Sequence, residues 1–337
     1  HMTDSPVILV GDIDRGGVFA SIVGTLTLLS TKDRARVKAV IINKFRGDLS
    51  LLEPGIREIE KLTGLPVLGV IPYFRDIYLQ EEDSLGLLGH KASGNGVDVA
   101  VIELPHISNF TDFDALKASP EVRLRYVKAN EKIGRADIII IPGTKNTLAD
   151  LDYLMASSYD EEIRAHIKEG RQVIGICGGF QMLGISITDD DVTRKALGLL
   201  DIETTMAKEK TTHQVVALSK TFGDKAVTGY EIHMGETTYL NNTEALFKVT
   251  RAGSTHSIKD GAISKDKLVF GSYIHGLFDN DELRKKIFSL SGETTSYSDL
   301  KEEGYKKLAE LVRSKIDMNL LYEIIERKES KLKVATA

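Results

Sequence analysis

Residues 172–186 read QVIGICGGFQMLGIS, and this stretch decides the fold of the second half of the chain. The apolar run 173–176 predicts a buried strand, and residues 180–185 suit the helix that follows it. Between the two lies Cys177, the one cysteine in 337 residues. The letters GICGG around it, residues 175–179, have the G-x-nucleophile-x-G form of a sharp strand-to-helix turn. The sequence therefore predicts a nucleophile at the end of a buried strand.

The glycines on both sides of Cys177 are needed if the turn is this tight. Side chains at Gly175 and Gly179 would collide across it. A thiol at the start of a helix lies near the positive end of the helix dipole, which favours the thiolate. The N–H of Gly178 is placed to bind an oxyanion. A lone cysteine is commonly a small buried hydrophobe, but this glycine pattern favours a nucleophile.

A thiolate nucleophile needs a base, and two of the eight histidines fit that role. His233, in GYEIHMGE, and His275, in GSYIHGLF, each follow a strand-like run and have glycine nearby. A side chain at such a strand end projects over the edge of a sheet, where open α/β folds bind ligands. The spacing along the sequence does not choose between the two histidines.

The composition excludes several classes of protein. The 44 Lys and Arg residues against 49 Asp and Glu give a formal charge of −5, so nucleic acid and anionic membrane surfaces are not expected as partners. No apolar run approaches the roughly 18 residues that span a bilayer. A single cysteine forms no internal disulfide, which is typical of proteins of the reducing cytoplasm.

Alternating strands and helices predict an α/β fold with two parallel sheets. The first unit is expected to have strands at 7–10, 37–42 and 67–71, and helices at 18–30 and 52–62. The second unit is expected to have strands at 97–102, 122–127, 138–141 and 173–176. Strands and loops are expected over 197–270, and helices over 281–289 and 298–328.

Longer motifs resemble a known family. GICGGFQMLG resembles the nucleophile motif of class I glutamine amidotransferases, which release ammonia from glutamine through a cysteine thioester. More restrictive motifs, in order along the chain, resemble cobyric acid synthases of the cobalamin pathway: VGDIDRGGVFASIVGT (10–25), INKFRGD (42–48), IIIIPGTKNTLADL (138–151), GYEIHMGET (229–237) and SYIHGLF (272–278). The resemblance covers essentially the whole chain.

This resemblance implies an enzyme that uses ATP and Mg to amidate four peripheral carboxylates of adenosylcobyrinic acid a,c-diamide, with L-glutamine as nitrogen donor. It implies a nucleotide-binding domain similar to dethiobiotin synthetase, followed by a class I glutamine amidotransferase domain. The partners that it implies are therefore small molecules, glutamine and a corrinoid.

The resemblance also implies roles for individual residues. Cys177 matches the nucleophile and His275 its general base, which leaves His233 as a structural or positioning residue. Gln181 and the backbone of Gly143 match positions that line the glutamine and oxyanion site. No residues are assigned to a metal site.

One departure from the class I pattern concerns the residue that orients the histidine. Most class I members have His-x-Glu, and this chain has Leu277 where the glutamate would be. The resemblance therefore implies a Cys–His dyad. Glu231, Glu236 and Asp279 remain candidates for a third member.

The ATP phosphate loop of the family, G-x-x-x-x-G-K-[ST], is absent from this sequence, which has no Gly-Lys pair. The chain is therefore expected to begin partway through the synthetase domain, and the missing N-terminal segment is expected to be needed for full activity. Asn43 and Pro72 match positions that contact adenine in this fold class. Asp12, Asp14 and Arg15 are expected to face substrate or Mg-phosphate, although acidic residues are common in such loops.

The expected organisation has four parts. They are a truncated amidoligase domain over 1–90, a linker over 91–96, a glutamine amidotransferase domain over 97–292 and a helical tail over 293–337. The linker is polar and contains glycine, which is typical of flexible connections.

Three alternatives to this function stay open. Cobyrinic acid a,c-diamide synthase has a similar two-domain plan, but the motifs NKFRGD and PGTKNT favour cobyric acid synthase. A cysteine hydrolase without ammonia transfer has the same elbow, and Gln181 together with the nucleotide-fold segment argues against it. A non-catalytic binding protein is disfavoured because the motif around Cys177 is intact.

Overall fold

The computed structural model describes residues 5–74, 77–79, 96–290 and 296–326. The chain divides into two compact units, one formed by residues 1–79 and 300–337 and the other by residues 80–299. Each unit contains parallel strands and helices, so the α/β class expected from the sequence is confirmed. The expected linker at 91–96 lies outside the described residues except for Gly96.

The elements of the described residues follow one another in this order. Up to residue 74 they are β1 (Val7–Asp12), α1 (Val18–Leu28), α2 (Thr31–Arg34), β2 (Val37–Phe45), α3 (Leu49–Thr63) and β3 (Val67–Pro72). From residue 96 they are β4 (Val97–Ile102), α4 (Asp114–Lys117), β5 (Val122–Val127), β6 (Ile138–Ile141), α5 (Thr147–Ala156), α6 (Tyr159–Lys168), β7 (Gln172–Ile176) and α7 (Gly178–Met182). The chain continues with β8 (Ser186–Asp189), β9 (Val192–Lys195), β10 (Ile202–Ser219), β11 (Gly223–Tyr239), β12 (Ala245–Arg251), β13 (Ser257–Ile263), β14 (Val269–Ser272), β15 (Ile274–His275), α8 (Asp281–Ile287), α9 (Tyr297–Lys315) and α10 (Met318–Ile325).

The first unit has a parallel sheet in the order β1-β2-β3. Strand β2 is longer than the sequence suggested, because it continues through Asn43 to Phe45. Helix α3 also starts earlier, since the side chain of Asp48 accepts the N–H of Ser50 and caps the helix. It ends at Gly64, whose φ of 70° is the left-handed conformation that glycine adopts readily.

Helices cover both faces of this three-stranded sheet. One core contains Val40 of β2 with Ile22 of α1 and Ile59 of α3. The other core contains Ala39 and Ile41, which point to the opposite face because side chains alternate along a strand. Burial on both faces explains why residues 39–42 of β2 form a continuous apolar run.

The C-terminal helices cover the second face of this sheet. The sequence predicted a helical tail over 293–337, and its described part contains α9 and α10, which are separated at Ile316. Leu311, Ile316 and Leu320 pack against the Ala39 and Ile41 face of β2. The apolar spacing of these helices is thus explained by burial on the first unit.

The second unit is built on one sheet with the strand order β15-β11-β10-β12-β13-β14-β7-β6-β4-β5, and β8 and β9 extend from β10. Strands β14, β7, β6, β4 and β5 are parallel to one another. The long strands β10 and β11 lie in the segment where strands and loops were expected, and they form an antiparallel pair. None of the described helices is both long and apolar enough to cross a membrane.

The parallel strands place their carboxyl ends at one edge of the sheet. Cys177 follows β7, and Gly143 follows β6 two residues after Ile141. The loop after β4 leads to Asp112, and β14 leads through Tyr273 to His275. Because the carboxyl ends of parallel strands line one crevice, residues far apart in sequence meet there.

Candidate active site

Cys177 lies in a sharp turn between β7 and α7. Its backbone has φ 52° and ψ −107°, a strained conformation for a residue other than glycine. The N–H of Cys177 donates to the carbonyl of Ser272 at 2.9 Å, and its carbonyl accepts the N–H of Gln181 at 3.1 Å. The turn is therefore anchored on both sides, and the strain is held by the surrounding structure.

Two glycines make this turn possible because their neighbours leave no room for a side chain. A Cβ atom at Gly179 would lie 2.0 Å from the carbonyl oxygen of Ile141. A Cβ atom at Gly175 would lie 2.7 Å from the backbone carbon of Gly179. The turn is thus packed directly against the end of β6.

We expect Gly179→Ala to destabilise the second unit by about 3 kcal/mol or more, because backbone must move to admit the methyl group. The melting temperature should fall by about 6–12 °C. Gly170→Ala is the control: Gly170 has φ 77°, and no atom lies within 4 Å of the point where an added methyl group would project. That variant should lose only the left-handed backbone preference, about 1 kcal/mol. Equal melting temperatures for the two variants would contradict the packing argument.

His275 is fully buried and is held by Asp112. Its Nδ1 lies 2.7 Å from Oδ2 of Asp112, and the other oxygen of Asp112 accepts the N–H of Gly276 at 2.8 Å. Asp112 lies in a short 3-10 helix, Phe110–Phe113, and is itself buried. One carboxylate thus fixes both the ring of His275 and the backbone beside it.

The charge on Asp112 controls the protonation of the imidazole. Burial opposes a charged ring, but the Asp112 carboxylate and then the Cys177 thiol outweigh it and raise the pKa of His275 to about 10. The ring is therefore protonated at neutral pH. Cys177 is thus one of the side chains that interact directly with this ring.

Other groups surround the imidazole on its remaining sides. The amide nitrogen of Asn109 lies 3.0 Å from Nε2 of His275, and the ring of Tyr230 stacks on it at a centroid distance of 5.2 Å. A Cβ atom at Gly143 would lie 3.2 Å from Cε1 of the ring. Glycine at position 143 therefore lets the loop after β6 approach the histidine closely.

Asp150 stabilises the loop that contains Gly143. It is fully buried, and its Oδ2 accepts the hydroxyl of Thr144 at 2.5 Å. The same carboxylate lies 2.7 Å from Nδ1 of His106, and the carbonyl of Gly143 accepts the N–H of Ser108 at 2.9 Å. The loops after β4 and β6 are thereby joined next to the site.

Gln181 forms part of the wall of the site. It is buried, its Oε1 accepts the hydroxyl of Thr147 at 2.9 Å, and its Nε2 donates to the hydroxyl of Tyr273 at 3.3 Å. Both ends of its amide therefore have protein partners. A Cβ atom at Gly235 would lie 2.1 Å from Nε2, so glycine there admits the Gln181 side chain.

A cavity of about 480 Å³ opens onto Cys177. Its lining includes Gly178, Gln181 and Asn109, and charged groups such as Lys145 also border it. This volume is typical of sites for small molecules. The structure thus brings Cys177, Gly178 and Gln181 to one cavity, with His275 and Gly143 directly behind its wall.

His233, the second candidate base, has other partners. Its Nδ1 donates to the carbonyl of Gly235 at 2.8 Å, and its ring stacks on Tyr273 at a centroid distance of 3.8 Å. Its Nε2 lies 3.6 Å from Glu231, which also forms an ion pair with Arg251. His233 borders the cavity, but the acidic residue beside it belongs to a different cluster from Asp112.

Among the three sequence candidates for a third catalytic member, Glu231 and Glu236 are not placed to hold His275 Nδ1. Glu231 pairs with Arg251 and His233, and Glu236 is exposed. Asp112 takes that place instead. It is 163 residues away from His275 along the chain and belongs to no recognisable motif, so only its position in an apolar segment, NFTDFDAL, hinted at burial.

The residues singled out in the first unit lie at the carboxyl edge of its sheet. Asp12 ends β1 and is opposite Asn43 in the register of β2. Pro72 ends β3, where it is opposite Phe45. Asn43 lies within β2, which continues to Phe45, and its side-chain Oδ1 accepts the N–H of Lys44 at 2.8 Å.

The acidic residues of this edge pair with basic side chains of β2 and the loop after it. Lys44 Nζ lies 2.8 Å from Oδ2 of Asp12, and this hydrogen bond lowers the pKa of Asp12. Arg46 Nε lies 2.6 Å from Oδ1 of Asp14, and its guanidinium lies 3.3 Å above the ring of Tyr73. Arg15 is exposed at the same edge.

Models of known protein families match two regions of the chain. A family model described as a CobB/CobQ-like glutamine amidotransferase domain matches residues 98–283. A second model, described as an AAA domain, matches residues 1–80. The second unit is therefore a glutamine amidotransferase domain, and the N-terminal region is similar to AAA domains.

Individual relatives show which family of glutamine amidotransferases the chain resembles. The cobyric acid synthase of Thermoanaerobacter sp. (strain X514) is 45% identical over 352 residues, which cover 97% of this chain and 69% of that protein. The cobyric acid synthase of Listeria monocytogenes serovar 1/2a is 45% identical over 345 residues, which cover 96% of this chain and 67% of that protein. The cobyric acid synthase of Salmonella typhimurium is 45% identical over 352 residues, which cover 97% of this chain and 69% of that protein. The chain belongs to the cobyric acid synthase family and is an enzyme of the amidotransferase and ligase kind.

Proposed function

We propose that this chain supplies the glutaminase of a cobyric acid synthase, which amidates peripheral carboxylates of adenosylcobyrinic acid a,c-diamide with nitrogen from L-glutamine. The observation that carries the proposal is the strained Cys177 turn, with the His275–Asp112 pair beside it. A nucleophile, a base and a residue that orients the base form the constellation of cysteine-dependent acyl transfer. The family membership supports the choice of glutamine as the acyl donor.

The first half of the reaction forms a thioester. The thiolate of Cys177 attacks the side-chain amide carbon of glutamine, and the carbonyl oxygen becomes negatively charged. The backbone amides of Gly178 and Gly143 stabilise that oxyanion. The imidazolium of His275 then gives its proton to the leaving nitrogen, the carbon–nitrogen bond breaks, and ammonia leaves.

The second half releases glutamate. His275, now neutral, takes a proton from a water molecule that attacks the thioester carbon. The carbon–sulfur bond breaks, the Cys177 thiolate is restored, and the ring is again an imidazolium. Asp112 holds Nδ1 throughout, which leaves Nε2 as the ring nitrogen for proton transfer in the proposed reaction.

We infer that a corrinoid is the acceptor, because the relatives that match most of the chain are cobyric acid synthases. The alternative, cobyrinic acid a,c-diamide synthase, also fits the description CobB/CobQ-like. Supplying each of the two corrinoids to the complete enzyme and analysing the amides formed by mass spectrometry distinguishes them. A cysteine hydrolase without ammonia transfer is tested more simply, because it would release no ammonia from glutamine.

We propose that amidation also needs ATP, Mg and a phosphate-binding loop, which these 337 residues do not contain. The carboxylates of Asp12 and Asp14, at the edge of the first sheet, form exposed ion pairs with Lys44 and Arg46, which Mg-phosphate would have to displace. Among the described residues, no group of three or more His, Cys, Asp or Glu side chains is arranged to hold a metal ion. Asn43 and Pro72 remain proposed adenine contacts.

We therefore expect the chain of 337 residues to bind Mg-ATP more weakly than about 1 mM in isothermal titration calorimetry. Phosphates are bound mainly by the backbone amides and the lysine of a phosphate loop. The full-length Thermoanaerobacter relative is the positive control. Micromolar binding by this chain would contradict the expectation. Amidation restored by adding a separate polypeptide with the loop would support the need for an N-terminal segment.

We propose the following assignment of the chain to functions. Residues 1–90 belong to the amidoligase region, residues 97–292 form the glutaminase, and the helices within 293–337 support the first unit by covering its sheet. A cytoplasmic location is consistent with the single cysteine, Cys177, whose chemistry requires a reduced thiol.

A further inference from the structure

Another buried carboxylate, Asp260, takes no part in the reaction described above. It belongs to β13 and is 4% exposed. Its Oδ2 accepts the hydroxyl of Ser272 at 2.5 Å, and its Oδ1 accepts the backbone N–H of Tyr273 at 3.1 Å. Both partners lie in the segment that leads to His275.

This segment, residues 272–274, is where the chain leaves one part of the sheet for another. Strand β14 ends at Ser272 and pairs with β7, whereas β15 begins at Ile274 and pairs with β11. Tyr273 lies between the two strands, so its N–H needs a partner outside them. Asp260 provides that partner.

Ser272 links the nucleophile to the base. Its carbonyl accepts the N–H of Cys177 at 2.9 Å, which fixes the strained turn. Its hydroxyl oxygen accepts the N–H of Ile274 at 3.0 Å, immediately before His275. The hydroxyl proton of Ser272 is donated to Asp260, because an ionised carboxylate only accepts hydrogen bonds.

A carboxylate at this position is costly. Burial raises the pKa of Asp260 to about 6, although the hydrogen bonds from Ser272 and Tyr273 and the charge of His233 oppose the shift, and Glu231 adds to it. The two groups that bind it are uncharged, so no direct ion pair offsets its desolvation. Natural proteins accept such costs mostly where geometry matters for function.

We propose that Asp260 is a positioning residue for the glutaminase reaction: through Ser272 and Tyr273 it sets the separation of Cys177 and His275. This inference rests on the proposed function. A shift of the 272–274 segment would move both reacting side chains. The backbone of Cys177 is hydrogen-bonded to Ser272, and His275 directly follows Ile274.

Asp260→Asn and Asp260→Ala test the role in the full chain. The amide still accepts the N–H of Tyr273 but leaves the Ser272 proton without its carboxylate, and alanine removes both bonds. We expect kcat to fall about tenfold in Asp260→Asn and about a hundredfold in Asp260→Ala, with the KM for glutamine changed less than about twofold. The rate of Cys177 alkylation by iodoacetamide without glutamine should fall in the same order.

Asp98→Asn is the matched control. Asp98 is also a largely buried carboxylate of the second unit, bound to Arg123 and Arg125 at the amino end of β4, away from the site. We expect it to lower the melting temperature while leaving kcat and alkylation unchanged. If Asp260→Ala and Asp98→Asn affect kcat equally at equal loss of stability, or if both Asp260 variants keep wild-type kcat, the inference is wrong.

Ser272→Ala decides the matter if the Asp260 variants do not fold. It removes only one hydroxyl and should lower kcat about three- to tenfold at unchanged KM. Wild-type kcat in this variant would overturn the inference. A wild-type chain that releases no ammonia from glutamine contradicts the proposed function instead, and the alkylation rates then still report whether Asp260 positions Cys177.

Discussion

Cys177→Ala is expected to lower the glutamine-dependent release of ammonia by about 10⁴-fold or more, because no other side chain forms the thioester. The change removes one buried sulfur atom and leaves the surrounding hydrogen bonds of the backbone intact. We therefore expect the melting temperature to stay within a few degrees of the wild type. The measurement is glutamate and ammonia production by the purified chain under saturating glutamine.

Cys177→Ser removes the nucleophile while nearly preserving the volume of the side chain, so it separates these two effects of Cys177→Ala. The hydroxyl is nearly the size of the thiol but forms an anion far less readily, so the rate should stay close to that of Cys177→Ala. The single thiol offers a second readout. A glutamine-analogue inhibitor should label the wild type once and both variants not at all. Equal ammonia release by wild type and Cys177→Ala would mean that the chemistry does not pass through this residue.

Asp112→Asn is expected to lower kcat by about 10²- to 10⁴-fold, the second largest effect. The amide cannot hold the positive charge on His275, and it admits the wrong orientation or tautomer of the ring. Glu231→Gln is the control, because Glu231 is also a buried carboxylate next to a histidine and was a sequence candidate for the same role. Its variant should stay within a few-fold of the wild-type kcat.

The dependence of fold stability on pH tests the pair formed by Asp112 and His275. Since the folded pKa of His275 is raised from 6.5 to about 10, its pair with Asp112 stabilises the fold fully below pH 6.5 and loses this effect as the pH rises through about 10. The difference in melting temperature between wild type and Asp112→Asn should therefore shrink towards pH 10. A loss of kcat in Glu231→Gln as large as in Asp112→Asn would instead place Glu231 in the mechanism.

Local patterns explain which features the sequence predicted well. The turn at Cys177 was found because its requirements are local: Gly175 and Gly179 are two residues away, and each excludes a side chain for steric reasons. Central parallel strands such as β6 were found because burial on both faces makes them short apolar runs. The apolar spacing predicted helices at the C-terminal end, but it did not predict the break between them at Ile316.

The features that the sequence missed depend on residues that meet only after folding. Asp112 reaches His275 across 163 positions, and no local rule distinguishes it from other acidic residues. Asp260 is 12 positions from Ser272, but its carboxylate matters because two strands diverge at Tyr273. The choice between His275 and His233 likewise depends on which ring lies beside Asp112.

The sequence by itself determined the tight turn at Cys177, the α/β class and the resemblance to a family, because steric limits on glycine, apolar periodicity and contiguous motifs are all local. Only the tertiary structure decided which carboxylate holds His275 and which one supports the segment between Cys177 and His275. Hydrogen bonds of this kind depend on distances of about 3 Å between strands that are remote in sequence, and the order and register of those strands set the distances.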